Sequence, residues 1–190
     1  MDTRERLNQH IASHNPGSDN ADFAEAIRFL CAELDRLQAP TRIQYKLCSE
    51  DARVPAYQTE GASGLDLHAR AVQVEGYGEM PFPYSLNPGC SVMVWAGVAF
   101  SIPQSWEIQV RPRSSMSKKL IHAALGTIDS DYRGEIGVLL INLGKTPLFI
   151  NKGDRVAQAV FAPVRQFELE QADQLDETKR GSKGFGSSGI

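Results

Sequence analysis

Two carboxylates stand one residue apart, directly before an apolar run, in the segment GTIDSDYRGEIGVLLIN from Gly126 to Asn142. An ionised carboxylate within hydrogen-bond reach of water is a sufficient general base, so Asp129 is a candidate for activating a nucleophilic water. Strand alternation would place Asp129 and Asp131 on one face and Tyr132 on the other. A ligand that touches both Asp129 and Tyr132 would therefore require a bend between them. A pair of acidic turn residues is the alternative interpretation.

A basic segment, RPRSSMSKK from Arg111 to Lys119, combines two arginines, three serines and two lysines with little apolar content. Guanidinium groups and serine hydroxyls donate hydrogen bonds of the kind that a phosphoryl group accepts. The segment therefore predicts a phosphate-binding loop, with a solvated basic loop as the alternative.

The segment RGSKGFGSSG, from Arg180 to Gly189, repeats this chemistry near the end of the chain. Its glycines allow backbone N–H groups to approach an anion closely. Phe185 adds an aromatic plane on which a base could stack. By composition alone, the same segment is typical of a flexible tail.

A single acid, Asp66, stands between leucines in the segment ASGLDLHA from Ala62 to Ala69. Burying a carboxylate is costly unless the group is paired or bound to a metal. An arginine, backbone donors or a metal ion would each satisfy Asp66, and the segment by itself does not separate these alternatives.

The composition limits the class of protein. A length of 190 residues with 42% hydrophobic and 23% charged residues predicts one globular domain with, at most, an appendage. A formal net charge of −3 argues against sequence-independent binding to nucleic acid or anionic membranes. No run approaches the roughly 18 apolar residues that span a bilayer, and the N-terminus lacks the apolar core of a signal peptide. We therefore expect a cytoplasmic protein with no nucleic-acid or membrane partner.

The three cysteines, Cys31, Cys48 and Cys90, are widely spaced and form no CxxC pair. This spacing indicates neither a disulfide framework nor a zinc site. We expect reduced, buried thiols.

The first 40 residues have a helical periodicity that the rest of the chain lacks. Ser18 or Asp19 can cap a helix whose end precedes Pro40, and a shorter helix can lie between Asp2 and Ile11. The apolar stripe predicts packing against the protein's own domain, with an unknown partner protein or an intersubunit coiled coil as alternatives. The stripe consists of Phe23, Ile27, Leu30, Leu34 and Leu37.

Short β-like segments separated by turn residues follow from Thr41 onward. The turns NPG, IPQS and NKGD reverse the chain because proline fixes φ and glycine frees it. Many strands with no helix between them predict a sandwich, jelly roll or barrel. The predicted strands are Arg42–Leu47, Leu65–Val74, Ser91–Ile102, Trp106–Arg111, Glu135–Asn142, Leu148–Ile150, Arg155–Phe161 and Gln166–Leu169.

Taken in order, five segments resemble the five motifs of the trimeric dUTP pyrophosphatases: ASGLDLHA, RPRSSMSKK, GTIDSDYRG, KGDRVAQAVF and RGSKGFGSSG. The resemblance extends from Arg42 to Gly189. It implies an all-β, jelly-roll-like distorted β-barrel that forms a homotrimer with three active sites at subunit junctions. It also implies Mg²⁺-dependent hydrolysis of dUTP to dUMP and pyrophosphate. The chain would then comprise a helical N-terminal extension (1–40), a β domain (41–175) and a C-terminal arm (176–190).

The resemblance assigns a role to individual positions. The water-activating acid corresponds to Asp129, and the tyrosine beneath the deoxyribose, which leaves no room for a 2′-hydroxyl, corresponds to Tyr132. Asp66 corresponds to the acid that holds Mg²⁺ through water, while the triphosphate supplies the direct ligands. Uracil recognition falls on main-chain groups of the hairpin Leu120–Thr127, which contains Ala123, Gly126 and Thr127. The remaining contacts correspond to Arg113, Ser114 and Ser115 for phosphate, the Gln158 amide in the fourth motif, Arg180 as an arginine finger, Phe185 for stacking on uracil, and Gly186, Ser187 and Ser188 for the γ-phosphate.

Several features depart from the family pattern, among them Ser115 and Ser117 in the second motif and Lys183 in the fifth, where glycine is frequent in the family. Ala123 stands where some members have an asparagine that assists uracil recognition, so recognition here would fall to the main chain. The segment EGYGEMPFPYSLNPG, from Glu75 to Gly89, is longer than the usual connection.

Two rival functions differ in their sequence requirements. The dCTP deaminases share the fold and the Arg-Ser-Ser motif, but their deaminating glutamate would align with Leu139, and a leucine cannot shuttle protons. A nucleotide sensor without catalysis is the other rival. The motifs do not support it, because Asp66, Asp129, Tyr132, Arg180 and Phe185 are all present. Binding of a partner remains an additional role for the N-terminal helices.

Overall fold

The computed structural model describes residues 27–32, 42–124 and 126–182 of the chain. The chain divides into two units, Met1–Ile43 and Gln44–Ile190. In the first unit, residues 27–32 are helical, within the helix predicted from the apolar stripe. The remainder of that predicted helix and the shorter helix before it lie outside the described residues.

Short strands dominate the described part of the second unit. Their order is β1 (Gln44–Leu47), β2 (Leu65–His68), β3 (Ala71–Val74), β4 (Gly78–Met80), β5 (Tyr84–Leu86), β6 (Ser91–Trp95), β7 (Val98–Ser101), β8 (Trp106–Arg111), helix α1 (Ser114–Ser117), β9 (Ile121–Ala123), β10 (Gly126–Ile128), β11 (Gly137–Asn142), β12 (Leu148–Ile150) and β13 (Arg155–Pro163).

The strands form two main antiparallel sheets. One sheet has four strands in the order β10-β8-β13-β2, and the other has five in the order β4-β3-β6-β11-β9. Two-stranded pairs, β1-β7 and β12-β5, complete the arrangement. The fully buried side chains come from both sheets, as expected for a jelly-roll-like β fold with an internal core. The all-β prediction is confirmed.

Strand β11 shows how the apolar run after the acidic turn is used. Val138 and Leu140 are fully buried, whereas Leu139 between them is 37% exposed. Burying a valine or leucine side chain stabilises a fold by about 1.5–3 kcal/mol, so the inward residues anchor the strand. The outward residue lies opposite Met93 of β6, and Gly137 lies opposite Trp95. One face of the five-stranded sheet therefore packs inside, while its outer face carries an apolar patch around Leu139.

Several predicted strand boundaries are wrong, and the sheet topology explains why. The segment Leu65–Val74 is interrupted because the Ala69 N–H bonds to the Asp154 carbonyl, whereas the Arg70 N–H bonds to the Trp95 carbonyl. At that point the chain leaves the four-stranded sheet and enters the five-stranded one. The segment Ser91–Ile102 is similarly interrupted at Gly97, which has a φ of +73°.

The remaining differences lie at the ends of elements. Strand β13 ends at Pro163, so the predicted strand Gln166–Leu169 is wrong. Four strands are absent from the predicted set: β4 and β5, which lie in the Glu75–Gly89 segment, and β9 and β10, which lie where the resemblance implied a hairpin. Cys48 and Cys90 are exposed and Cys31 is partly exposed, so the prediction of buried thiols is also wrong, although all three cysteines are free. No helix in the described ranges is long and apolar enough to cross a membrane.

Candidate active site

Strand β8 has the basic loop at one end and the acidic turn beside the other. In the antiparallel pair β10-β8, Ile128 lies opposite Ile108, and the next residue, Asp129, lines the same cavity as Glu107. Arg113 stands six positions after Glu107. At ~3.3 Å per residue, the two ends of this stretch are separated by about 20 Å. Within one chain, Asp129 and Arg113 are therefore far apart.

Asp129 lies at the bend that contact with a common ligand would require. Strand β10 ends at Ile128, and the Tyr132 N–H donates to the Asp129 carbonyl over 3.1 Å. The chain turns between the two residues, so strict strand alternation does not continue past Ile128. The Asp129 side chain is exposed and lines a cavity of about 530 Å³ together with Trp106, Asp131 and Arg165.

Tyr132 is held by its own turn. Its hydroxyl donates to the Glu135 carbonyl over 3.0 Å, and the residue is 42% exposed. A β-carbon at Gly134 would collide with this hydroxyl, so only glycine leaves room for the ring in this position. The ring is thus fixed in place while part of its surface faces outward, as contact with a ligand requires.

Asp66 is paired with arginines. The residue is 5% exposed, and its two carboxylate oxygens accept hydrogen bonds from Arg113 Nε over 3.0 Å and Arg155 Nη1 over 3.2 Å. Arginine pairing, one of the alternatives that the sequence left open, is therefore present. The pairing joins the first motif to the basic loop and to β13, because Asp66 lies opposite Gln158 in the β2-β13 pair.

The basic loop is ordered by this arginine cluster. Arg113 Nη1 also donates to the Arg155 carbonyl over 3.2 Å and contacts Ser115 Oγ at 3.5 Å. Ser117 Oγ donates to the Arg113 carbonyl over 3.2 Å within the short helix α1. Ser114 and Ser115 are both exposed, and the Ser115 hydroxyl lies beside the guanidinium group. The loop is therefore pre-arranged to donate hydrogen bonds to an anion.

Gln158 supports the loop from behind. Its Nε2 donates to the Pro112 carbonyl over 3.0 Å, which fixes the residue before Arg113. A β-carbon at Gly64 would lie 2.7 Å from Gln158 Oε1, so the glycine of the first motif allows this close approach. In this structure Gln158 orders the loop through Pro112.

The charge around Asp66 is dominated by cations. Burial and the nearby Arg53 cation lower the pKa of His68, and Arg155 and Arg113 act in the same direction, against the effect of Asp66. His68 is therefore neutral near pH 7. Two arginines on one carboxylate leave a local positive charge, which attracts a polyphosphate even though the whole chain is acidic.

The predicted uracil-binding segment is not a self-paired hairpin. Strand β9 pairs with β11 in the five-stranded sheet, whereas β10 pairs with β8 in the four-stranded sheet. The segment crosses between sheets because each strand finds a long-range partner. Ala123 is fully buried, so its side chain is not available to a ligand, while Gly126 is partly buried and Thr127 is exposed.

The described residues form two groups. Asp66, Arg113, Ser115 and Gln158 come together around the basic loop, whereas Asp129 and Tyr132 lie at the other end of β8. Arg180 lies in an exposed turn in which the Gly181 N–H bonds to the Thr178 carbonyl. The residues of the fifth motif beyond it lie outside the described residues: Phe185, Gly186, Ser187 and Ser188.

Sequence reasoning missed three residues that order these groups: Arg155, Glu135 and Arg70. The signal for Arg155 was its place in the fourth motif, directly after an aspartate. Glu135 was adjacent to the acidic turn, but the groups that donate hydrogen bonds to its carboxylate, on Arg70 and Gly97, lie far away in sequence. No local pattern pointed to Arg70.

A magnesium ion would find few direct ligands on the protein. Among the described residues, no group of three or more His, Cys, Asp or Glu side chains lies together. Both oxygens of Asp66 already accept hydrogen bonds from guanidinium groups, but a carboxylate has further lone pairs. Asp66 therefore fits the role of accepting a hydrogen bond from metal-bound water, with the direct ligands supplied by a triphosphate.

Comparison with known proteins agrees with the motif pattern. A dUTPase family model matches residues 50–189. The deoxyuridine 5′-triphosphate nucleotidohydrolase of Caulobacter vibrioides is 45% identical over 143 residues, which cover 74% of this chain and 88% of that protein.

Solved structures share the fold. The dUTPase of Staphylococcus bacteriophage 80alpha with dUpNHpp is 26% identical, with a TM-score of 0.70 and coverage of 79% of this chain and 99% of that chain. A dUTPase variant from phage phi11 of S. aureus, described with a structural Mg(II) ion, is 24% identical, with a TM-score of 0.62 and coverage of 70% and 98%. Because the family match spans most of the chain and includes the basic loop, the acidic turn and the arginine-paired Asp66, this protein belongs to the dUTPase family.

Proposed function

We infer that this protein hydrolyses dUTP to dUMP and pyrophosphate. The observation that carries the inference is the 45% identity, over 88% of its length, with a nucleotidohydrolase that acts on deoxyuridine triphosphate. The geometry agrees with a reaction on a polyphosphate, since an arginine-rich loop and an exposed carboxylate at a turn are the two groups that such hydrolysis needs.

In the proposed mechanism, Asp129 accepts a proton from water as that water attacks the α-phosphorus. The bond between the α-phosphorus and the oxygen that bridges to the β-phosphorus breaks, and pyrophosphate leaves in line with the attack. Arg113, Ser114 and Ser115 donate hydrogen bonds to the phosphate oxygens, and Arg180 supplies a further cation from the C-terminal arm.

Selection of the nucleoside is proposed to rest on rigid groups. The fixed ring of Tyr132 lies beneath the deoxyribose and leaves no room for a 2′-hydroxyl. Uracil is bound by main-chain groups of the segment from Ala123 to Thr127, including those of Gly126. The buried Ala123 side chain leaves this recognition to the backbone.

A homotrimer is proposed because one chain does not bring its own reactive groups together. Asp129 and Arg113 lie at opposite ends of a stretch of about 20 Å, which exceeds the reach of one triphosphate group. A complete site therefore requires Asp129 of one subunit beside Arg113 of another. Sites at subunit junctions meet this requirement in a closed, symmetric assembly.

The five-stranded sheet offers a surface for such an assembly. Its outer face carries an apolar patch made of Leu139, which is 37% exposed, and the partly buried Met93, Trp95 and Ile141, with Gln73, Ser91 and His122 beside them. Met93 lies directly opposite Leu139 in the β11-β6 register. Contiguous apolar surface on a sheet is typical of protein contacts, which supports a subunit interface at this face.

Mg²⁺ is proposed to enter with the substrate, bound to the triphosphate oxygens. It would supply Lewis-acid stabilisation of charge on the phosphates. Asp66, fixed by Arg113 and Arg155, would orient the complex by accepting a hydrogen bond from metal-bound water.

The direct test is pyrophosphate release from a panel of nucleoside triphosphates. With Mg²⁺, we expect dUTP to be preferred over UTP, dTTP and dCTP by about 10²-fold or more. Chelation with EDTA should suppress turnover. Equal rates for all four nucleotides would contradict the proposed function, and ammonia release from dCTP would favour a deaminase.

Removal of Thr178–Ile190 should weaken catalysis without unfolding the core. We propose that the chain consists of an N-terminal extension (1–40), a β domain (41–175) and a C-terminal arm (176–190). The described residues of the arm are exposed. Because stacking on a base contributes about 1–3 kcal/mol, kcat/KM for dUTP should fall about tenfold to hundredfold. The thermal midpoint, measured by circular dichroism, should stay within the range of the full chain. A collapse of that midpoint would mean that the arm is structural.

A further inference from the structure

A continuous series of contacts links Tyr132 to strand β4 of the five-stranded sheet. The Tyr132 hydroxyl donates to the Glu135 carbonyl over 3.0 Å, so the position of the ring depends on the backbone at Glu135. The next residue, Ile136, is itself tied down, because its N–H donates to the Val98 carbonyl over 2.8 Å and its carbonyl accepts from the Ala96 N–H over 2.9 Å.

The Glu135 carboxylate is fixed by three donors. Its Oε1 accepts from the Gly97 N–H over 2.6 Å and from Arg70 Nε over 3.1 Å, and its Oε2 accepts from Arg70 Nη2 over 3.4 Å. Both side chains of this ion pair are only 19% exposed. A two-pronged arginine–carboxylate contact fixes orientation as well as distance, so the pair holds the turn in a single arrangement.

Arg70 has a second carboxylate partner in a segment without an assigned role. Its Nη1 and Nη2 each donate to Glu79 Oε1 over 3.3 Å, and Glu79 lies on β4 within the Glu75–Gly89 segment. Burial disfavours the charged guanidinium, but the hydrogen bonds to Glu135 and the charge of Glu79 raise the pKa of Arg70 above its usual value. Arg70 is therefore cationic at every working pH and clamped from two sides.

We propose that Arg70 and Glu135 are positioning residues that set the discrimination between deoxyribose and ribose, and that Glu79 strengthens their hold on Tyr132. The inference rests on the proposed function, in which the Tyr132 ring lies beneath the deoxyribose. The Glu75–Gly89 segment thereby gains a role, because it supplies Glu79. Glu135, Arg70 and Glu79 together form an ion-pair cluster, called the clamp below.

The physical reason is that steric exclusion of the 2′-hydroxyl depends on a fixed position of the Tyr132 ring. A ring that excludes a single hydroxyl works only if it cannot move away, since a displacement of about 1 Å changes rates by up to about 10²-fold. Loosening the clamp leaves all atoms of Tyr132 present but lets its turn relax, so a ribonucleotide gains access. The loss of discrimination distinguishes a positioning role from a general loss of stability.

The test compares kcat and KM for dUTP and UTP across a series of variants. In Arg70→Ala, the ratio of kcat/KM for dUTP to that for UTP should fall about tenfold to hundredfold, through improved relative use of UTP. Glu135→Gln should act in the same direction. Arg70→Lys keeps the positive charge but loses the two-pronged guanidinium contact, so its ratio of kcat/KM values should lie between those of Arg70→Ala and the wild type. Glu79→Gln should lower the ratio less than Arg70→Ala does.

Glu75→Gln is the matched control, because Glu75 is an exposed acid of the same hairpin whose side chain makes none of the hydrogen bonds of the clamp. Its ratio should equal that of the wild type. Glu79 is 62% exposed, so Glu79→Gln tests the clamp without threatening the fold. Unchanged ratios in Arg70→Lys and Glu79→Gln, with wild-type turnover of dUTP, would overturn this inference alone. A wild-type protein that does not hydrolyse dUTP would overturn the proposed function and this inference together.

Discussion

Replacing Asp129 by asparagine should leave dUTP binding nearly unchanged while kcat falls by about 10²–10⁴-fold, the usual contribution of a positioned general base. The amide has nearly the same shape as the carboxylate but cannot accept the proton of water. Since the Asp129 side chain is exposed at a turn, the substitution leaves no buried group unpaired. The loss should therefore be confined to the chemical step.

The measurement pairs pyrophosphate release with isothermal titration of a non-hydrolysable dUTP analogue. Asp131→Asn is the matched control, because Asp131 stands in the same exposed turn and lines the same cavity. Its kcat should remain within about tenfold of the wild-type value. Undiminished turnover in Asp129→Asn, or equal losses in both variants, would remove Asp129 from the role of base.

Two inactive variants should restore each other when their subunits are mixed. Asp129→Asn lacks the base, and Arg113→Gln lacks a phosphate-binding cation, which should lower turnover by about 10²-fold or more. The two positions lie near opposite ends of β8, about 20 Å apart, so in the proposed assembly one junction would take them from different chains. In a random equal mixture, about a quarter of the junctions contain both native residues, and about a quarter of the wild-type activity should return.

The experiment requires exchange of subunits, by co-expression or by joint refolding of the two variants. Glutamine at position 113 keeps an amide that can donate towards Asp66, which limits the effect on that buried carboxylate. Preformed assemblies mixed without exchange serve as the control and should stay inactive. If exchanged mixtures also stay inactive although both variants assemble, the site lies within one chain and the proposed arrangement is wrong.

Much of the fold follows from local sequence. Strands β8 and β12 lie where the alternating run Trp106–Arg111 and the short apolar run Leu148–Ile150 predicted them, since each run is bounded by turn residues. The interruption between β2 and β3 had no local signal, because no proline or glycine stands at Ala69 or Arg70. It results from a change of hydrogen-bond partner between two sheets.

The sequence by itself determined the chemical groups of this protein and their order along the chain. The motif order predicted a dUTPase. Residue type made Asp129 a candidate base and the basic loop a candidate phosphate-binding element, with an acidic turn residue and a solvated loop as the alternatives. These assignments are local, because a carboxylate, a guanidinium group or a glycine turn has its chemistry wherever it lies.

Only the tertiary structure decided which of these groups meet. Asp66 pairs with Arg113 and Arg155 because β2 and β13 align in register and β13 also pairs with β8. The clamp on Tyr132 joins residues 65 positions apart in sequence. Long-range strand pairing sets these distances, and no short window of sequence contains it, because each strand chooses its neighbour by burial and register across the whole fold.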